Sequence, residues 1–179
     1  TSDFDFAEIM IGADGYLFND HRHSLKVFGS YSFTPEWQLG FNLMAQSGSP
    51  ISCLGGGYGS FGTEYGYTGV FHVCDTGANN TGANLDRAAD DVVSPVGSAG
   101  RTPWVVTFSP SIVYKPRWAE GLRLNVDVLN LFNNIKPVQV YETKFAYSGV
   151  ASYRNYYNYG AAKFFNDPRY VRFQVQYDF

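Results

Sequence analysis

The chain has 179 residues, among them 14 Tyr, 15 Phe and 19 Gly, with charged residues at only 16% and a formal net charge of -3. Its apolar runs are a few residues long, well short of the roughly 18 to 20 that a transmembrane helix needs, and mean hydropathy is -0.21. Lys and Arg are scattered without basic runs, which excludes a phosphate-tracking surface and nucleic acid as a partner. A strand barrel hides its apolar face by alternation, so near-neutral hydropathy leaves a membrane open.

Residues Thr1 to Phe6 hold two aspartates and neither a basic stretch nor an apolar one, so no secretory signal is read there, and a secreted protein would carry further sequence upstream. Thr1 to Asp20 reads as loop. From Ser24 to Phe33 the residues alternate, with Leu25, Val27, Gly29, Tyr31 and Phe33 on one face and Lys26, Phe28, Ser30 and Ser32 on the other. Phe28 is the one departure. Thr34-Pro35-Glu36 predicts a tight turn, and Trp37, Leu39, Phe41, Leu43 and Ala45 then form the apolar face of a second strand over 37–46.

From Ser47 to about Thr102 the pattern dissolves into Gly, Ser, Thr and Asn, a loop too long for an ordinary compact domain. Alternation returns over 104–114 with Trp104, Val106, Phe108, Pro110, Ile112 and Tyr114, where Pro110 is a weak point because it lacks a ladder donor. A short connection, Lys115 to Gly121, leads to a strand over about 122–132, with Leu122, Leu124, Val126 and Val128 opposite Arg123, Asn125 and Asp127. A second long loop, about Asn133 to Pro168, is rich in tyrosine, and a last strand over 169–179 sets Val171, Phe173, Val175, Tyr177 and Phe179 against Arg172, Gln174, Gln176 and Asp178.

Connections thus run short, long, short, long, as expected where short turns fall on one rim of a barrel and long loops on the other. Each strand is about 10 residues, enough to cross a hydrocarbon core at a tilt of about 45°. Aromatics near the strand ends match interfacial girdles. The reading is all-β, an antiparallel transmembrane β-barrel segment of about five to six strands. A soluble sandwich would show the same alternation, but strand length and loop asymmetry favour the membrane. Five strands do not close a barrel, so the chain is expected to be a fragment or to pair with other strands.

The stretch Leu124 to Asn133, LNVDVLNLFN, resembles the penultimate-strand signature of TonB-dependent receptors, in which a strand ends in an Asn-Leu-Phe-Asn corner. The ending PRYVRFQVQYDF, Pro168 to Phe179, is similar to their last strand. GYLFNDHRHSLKVFGSYSF, Gly15 to Phe33, together with SGSPIS at Ser47 to Ser52 and GRTPW at Gly100 to Trp104, resembles the Oar-like subgroup. The resemblance implies that residues 1–179 are the C-terminal part of a plugged barrel of about 22 strands. The plug and the TonB-contacting segment of such receptors lie upstream and are absent from this sequence. It implies the outer membrane of a Gram-negative cell, a periplasmic C-terminus and extracellular long loops. The implied partners are outer-membrane lipid, the remaining strands and plug, the TonB complex and the barrel-assembly machinery. Phe173, Val175, Tyr177 and Phe179 resemble the terminal signal that this machinery reads; they also suit plain lipid contact.

Cys53 and Cys74 have no CxxC context or histidine partner, so a loop disulfide in an oxidising compartment is favoured over two free thiols. Tyr153, Tyr156, Tyr157 and Tyr159 are candidates for an aromatic ligand platform, with loop packing the plainer alternative. Asp75, Asn79, Asn80, Asp86, Asp90 and Asp91 offer oxygen ligands, but their spacing fails the calcium-loop pattern and a solvated acidic loop is preferred. His21, His23 and His72 form no metal array, and no GxSxG elbow seats a nucleophile, so neither cofactor, metal nor enzyme activity is expected. The expected function is active uptake of a scarce or large substrate through the outer membrane. The alternatives are a non-transport outer-membrane adhesin and a soluble β-sandwich that binds ligand.

Overall fold

The structure, a computed structural model, describes residues 7–56, 70–75, 91–147, 153–155 and 158–178. In chain order its strands are β1 (Ser24–Ser32), β2 (Trp37–Gln46), β3 (Leu54–Gly56), β4 (Val70–Phe71), β5 (Val73–Asp75), β6 (Asp91–Val93), β7 (Val105–Tyr114), β8 (Leu122–Leu129), β9 (Pro137–Val140), β10 (Thr143–Tyr147), β11 (Tyr153–Asn155), β12 (Ala162–Phe165) and β13 (Tyr170–Tyr177). A 3-10 turn at Ala7–Met10 precedes them. The protein is all-β, and no helix among the described residues is long and apolar enough to cross a membrane.

Two compact units share the chain. One comprises His21–Gly48, Pro103–Val138 and Phe165–Phe179; the other comprises Thr1–Asp20, Ser49–Thr102 and Gln139–Phe164. The first is built on a five-stranded sheet in the order β1-β2-β7-β8-β13, antiparallel throughout, in which each strand pairs with the next in the sequence of long strands. The sheet is open, with β1 and β13 as its edges, and no barrel closes among the described residues.

The register carries the alternation across all five strands. Val27 lies opposite Leu43, Leu43 opposite Phe108, Ile112 opposite Val126, and Val126 opposite Phe173, so one face is apolar from edge to edge. No side chain on that face is buried. Phe173 is 74% exposed, Val175 73% and Tyr31 71%. A soluble monomer rarely bares a contiguous apolar patch above a few hundred Å².

The short turns are built locally. Thr34 Oγ1 accepts from the Glu36 and Trp37 N–H groups at 3.3 and 3.0 Å, an ST-type turn that closes the β1–β2 hairpin. Glu36 Oε1 then meets Arg117 Nε at 2.6 Å and its carbonyl accepts the Lys115 N–H at 2.8 Å, tying this turn to the β7–β8 turn. Gly121 ends the latter at φ +84, and a Cβ there would collide with the Asp178 carbonyl, whose N–H pairs back to Gly121 at 3.0 Å. Stacked rings of Trp37 and Tyr114, 4.3 Å between centroids, lie at the same rim.

Strand β8 stops at Leu129, three residues short of the expected 132, because Asn130 turns into the left-handed region at φ 48 and Asn133 follows at φ 51. Pro110 is accommodated beside this corner. The regular β7–β8 pairing runs from Ser111 onward, and beyond Pro110 the Asn130 N–H goes to Ser109 Oγ and the Leu131 N–H to the Phe108 carbonyl. A proline at such an irregularity leaves no ladder bond unmade.

The second unit corrects the expectation of two structureless loops. Within 47–102 and 133–168 run the short strands β3 to β6 and β9 to β12. They form a four-stranded sheet β11-β10-β3-β4 and the pairs β12-β9 and β5-β6. One of these pairings, β10 with β3, is parallel. Among the described residues, Phe71, Val73 and Cys53 are its largest fully buried side chains, with Ile9 and Val140 close behind.

Candidate functional site

The polar face of the five-stranded sheet is where side-chain chemistry concentrates. Arg172 stands directly opposite Asp127, and Gln174 opposite Asn125. The guanidinium reaches Asp127 Oδ2 with Nε at 2.9 Å and Nη2 at 2.8 Å, and Asn125 Nδ2 donates to the same oxygen at 3.1 Å and to Gln174 Oε1 at 3.0 Å. Such a ladder is what opposite charges and amides at facing register positions form. On the same face, Gly40 lies opposite Ser30 on one side and Ser111 on the other. A Cβ at Gly40 would collide with Ser111 Oγ, so glycine here sets how the hydroxyl packs. These small residues leave an open trough of about 620 Å³ lined also by Phe28, Asp127 and Arg172.

The Asn-Leu-Phe-Asn corner is a hydrogen-bonded knot. Asn130 is only 4% exposed. Its Nδ2 donates to the carbonyls of Asp167 (2.9 Å) and Asn134 (3.3 Å), and its Oδ1 accepts the Asn134 N–H at 3.0 Å. Asn133 Oδ1 accepts the Arg169 N–H at 2.9 Å, and Asn166 Nδ2 donates to the Asn134 carbonyl at 2.9 Å. Asparagine suits the corner twice over, tolerating positive φ and supplying both donor and acceptor. It therefore fixes where the chain leaves β8 and where it re-enters β13.

In the second unit Cys53 and Cys74 are joined by a disulfide, with Cα atoms 5.4 Å apart. The Ser52 N–H donates to Glu142 Oε1 at 2.8 Å, and the Gly97 N–H to Ser52 Oγ at 3.0 Å. Arg101 is paired with the Asp20 carboxylate, donates to the Asp20 carbonyl at 2.8 Å, and lies 5.6 Å from the Tyr16 ring centroid. Thr102 and Ser49 are locked reciprocally through the Thr102 Oγ1 and the two main chains, at 2.9 Å each. The polar residues of SGSPIS and GRTPW thus hold the base of the long loop.

The tyrosines divide. Tyr153 lies in β11, where its backbone pairs with Tyr147. Tyr156 and Tyr157 fall outside the described residues, as does Phe179. Tyr159 is half-buried beside Tyr141 in a parallel bridge, and burial, then the Glu142 carboxylate, push its phenol above the usual range. Of the acidic loop residues, Asp75 and Asp91 pair across β5 and β6, while Asn79, Asn80, Asp86 and Asp90 lie outside the described residues. Among the described residues no cluster of His, Cys, Asp or Glu is set to hold a metal ion. His21 Nδ1 lies 2.6 Å from the Ser47 carbonyl and His23 stacks on Trp104, so neither faces a common ligand point with the other. Phe173, Val175 and Tyr177 lie exposed on the apolar face of β13. Sequence reasoning missed the Asp127–Arg172 ladder and the trough; the signal was Phe28, the aromatic out of phase with its strand.

Over 138 residues, 74% of its length, the chain is 28% identical to the TonB-dependent transporter Oar of Myxococcus xanthus. It spans 11% of that much longer protein. This is a distant relationship to a TonB-dependent transporter. No family model matches the chain, and no solved structure does.

Proposed function

We propose that the five-stranded unit is a stretch of the wall of an outer-membrane β-barrel, contributing the C-terminal strands of a TonB-dependent transporter of the Oar-like kind that takes up a scarce or large substrate. The observation that carries this reading is the sheet itself, with an uncovered apolar face across five strands and a hydrogen-bonded polar face behind it. Lipid covers the first and the barrel lumen hydrates the second. Among the described residues β1 and β13 are the edges of the sheet; a sheet edge is costly in a bilayer, and further strands of a roughly 22-stranded barrel cover both.

Dimensions agree with this placement. Trp37 faces Tyr114 at one rim and Trp104 precedes β7 at the other. Ten residues at 3.3 Å separate these levels by roughly 33 Å along the strand, or about 23 Å along the membrane normal at a 45° tilt. The apolar band of such barrels is about 25 Å tall between its aromatic girdles. In this reading the short turns and the C-terminus are periplasmic and the disulfide-bearing unit is extracellular. Phe173, Val175, Tyr177 and Phe179 present the terminal signal to the assembly machinery, and the TonB complex acts through a plug domain encoded upstream.

Two measurements test it. Mass spectrometry of an outer-membrane extract is expected to place peptides from Arg101 to Phe179 in a polypeptide several times larger than 20.0 kDa, with plug peptides upstream. A free soluble 20.0 kDa species would overturn the reading. In liposomes of brominated lipid, Trp37 and Trp104 are both expected to be quenched best by bromines near the headgroups. Absence of quenching at both removes the membrane assignment.

A further inference from the structure

The two long loops meet in the second unit. Its four-stranded sheet runs β11-β10-β3-β4, in which the loop over 47–102 supplies β3 and β4 and the loop over 133–168 supplies β10 and β11. At the seam Leu54 and Gly55 lie opposite Thr143 and Phe145 in a parallel ladder whose register shifts after the first pair. Glu142 closes it. Its carbonyl accepts the Leu54 N–H at 2.9 Å and its Oε1 accepts the Ser52 N–H at 2.8 Å, so one residue of the second loop grips the main chain on both sides of Cys53. The strands themselves are slight. β3 has three residues and β4 two, and they meet through two register pairs, Gly55 with Phe71 and Gly56 with Val70. A two-stranded ribbon of ordinary length is already marginal in water. What fixes β3 is the bridge from Cys53, which precedes it, to Cys74 in β5. β11 lies at the edge of the sheet, paired with β10, and carries Tyr153.

We propose that the Cys53–Cys74 bridge is a redox-sensitive strap for both loops, so that an external dithiol which reduces it releases β10 and β11 of the second loop together with β3 and β4 of the first. The two sulfurs differ in access. Cys53 is fully buried and Cys74 half-buried, so the attacking thiolate meets Cys74 Sγ and the bond to Cys53 breaks. The second thiol of the reagent then displaces Cys74. Two electrons pass to the cysteines, the two thiol protons of the reagent end on their sulfurs, and the reagent departs as its own disulfide. With the bridge open, the segment it closed, a sequence separation of 21, regains chain entropy. β3 loses its anchor, and the main chain at Ser52 and Leu54 comes away from Glu142. An oxidising exterior therefore keeps both loops folded, and a reducing one loosens the strand that bears Tyr153. All of these residues belong to the second unit, so the strap works whatever covers the five-stranded sheet.

The test treats the full-length, natively folded protein in detergent micelles with dithiothreitol and reads it by iodoacetamide labelling and by hydrogen–deuterium exchange. Both cysteines are expected to take label after dithiothreitol and neither before it. Amides in 143–147 should then exchange about tenfold faster or more, together with those in 54–56, while β2, β7 and β8 keep their rates. Glu142→Ala removes the side-chain half of the grip and should accelerate 143–147 with the bridge intact. Glu142→Gln keeps an oxygen for the Ser52 N–H and should not. Four results overturn the proposal: the folded protein resists dithiothreitol, the acceleration stops at the first loop and spares 143–147, β2, β7 and β8 loosen equally, or Glu142→Ala leaves 143–147 unchanged. The lipid quenching of Trp37 and Trp104 is indifferent to all of these, so failure of the strap and failure of the barrel reading are separable.

Discussion

Asn130→Ala is expected to be among the most damaging single substitutions in the five-stranded unit. The side chain makes three hydrogen bonds from a site 4% exposed. The carbonyls of Asn134 and Asp167 keep Asn166 Nδ2 as a donor, so their loss is cushioned, whereas the Asn134 N–H loses the acceptor recorded for it. At a net 0.5 to 1.5 kcal/mol per bond, with an extra cost for a stranded buried donor, this part comes to about 2 to 3 kcal/mol. Holding alanine at φ 48 adds about 1 kcal/mol. The total, about 3 to 4 kcal/mol, should appear as a lowered urea midpoint in detergent, read by heat-modifiable gel mobility. Asn130→Gly loses the same bonds and none of the backbone ease, so it should sit about 1 kcal/mol above the alanine variant. The reasoning fails if the two variants are indistinguishable, or if alanine costs under about 1 kcal/mol.

Gly40→Ala should cost about 1 to 3 kcal/mol, because its Cβ meets Ser111 Oγ. Ser111→Ala should restore most of that in the double variant, since the remaining Cβ stands 3.8 Å away; additive costs in a double-mutant cycle would contradict the contact. Cys53→Ser opens a bridge with a sequence separation of 21, worth about 3 kcal/mol by loop-closure entropy. Limited proteolysis should accelerate in 49–102 while amide exchange in β2, β7 and β8 stays slow, and equal loosening of both would refute a local effect. The raised Tyr159 phenol favours its neutral form in the folded state. Its contribution is fully present below the unfolded pKa near 10 and is lost as pH rises through the higher folded value. Tyr159→Phe should therefore flatten the alkaline limb of the second unit's stability profile, and an unchanged limb would show that another group titrates there.

The long strands were legible because a period of two survives in the sequence wherever one face meets a single uniform environment. Leu39, Phe41 and Leu43 alternate with Gln38, Gly40 and Asn42 without interruption, and the structure keeps all six in one strand. The short strands were illegible for the opposite reason. Val70–Phe71 and Leu54–Gly56 are two and three residues long, too brief to show a period, and they are set by distant partners such as Thr143 on β10 and by the Cys53–Cys74 bridge. At the corner, Asn130 and Asn133 could be recognised as a motif, but not as a knot, since Asp167 and Arg169 approach from far along the chain. Phe28 read as a flaw in a pattern, and in space it is one wall of the trough.

Gln46 and Val105 face each other across the β2–β7 ladder, although 58 residues lie between them in sequence. Paired strand residues stand about 5 Å apart at Cα. To the sheet, the whole intervening segment with its disulfide and small strands occupies the place of a hairpin turn. Its size, sequence and chemistry can drift without moving a single cross-strand pair, as long as Gln46 and Val105 meet. The pairing of β2 with β7 thus depends on this segment only through the two residues that bound it, and replacing what lies between them leaves the ladder its register.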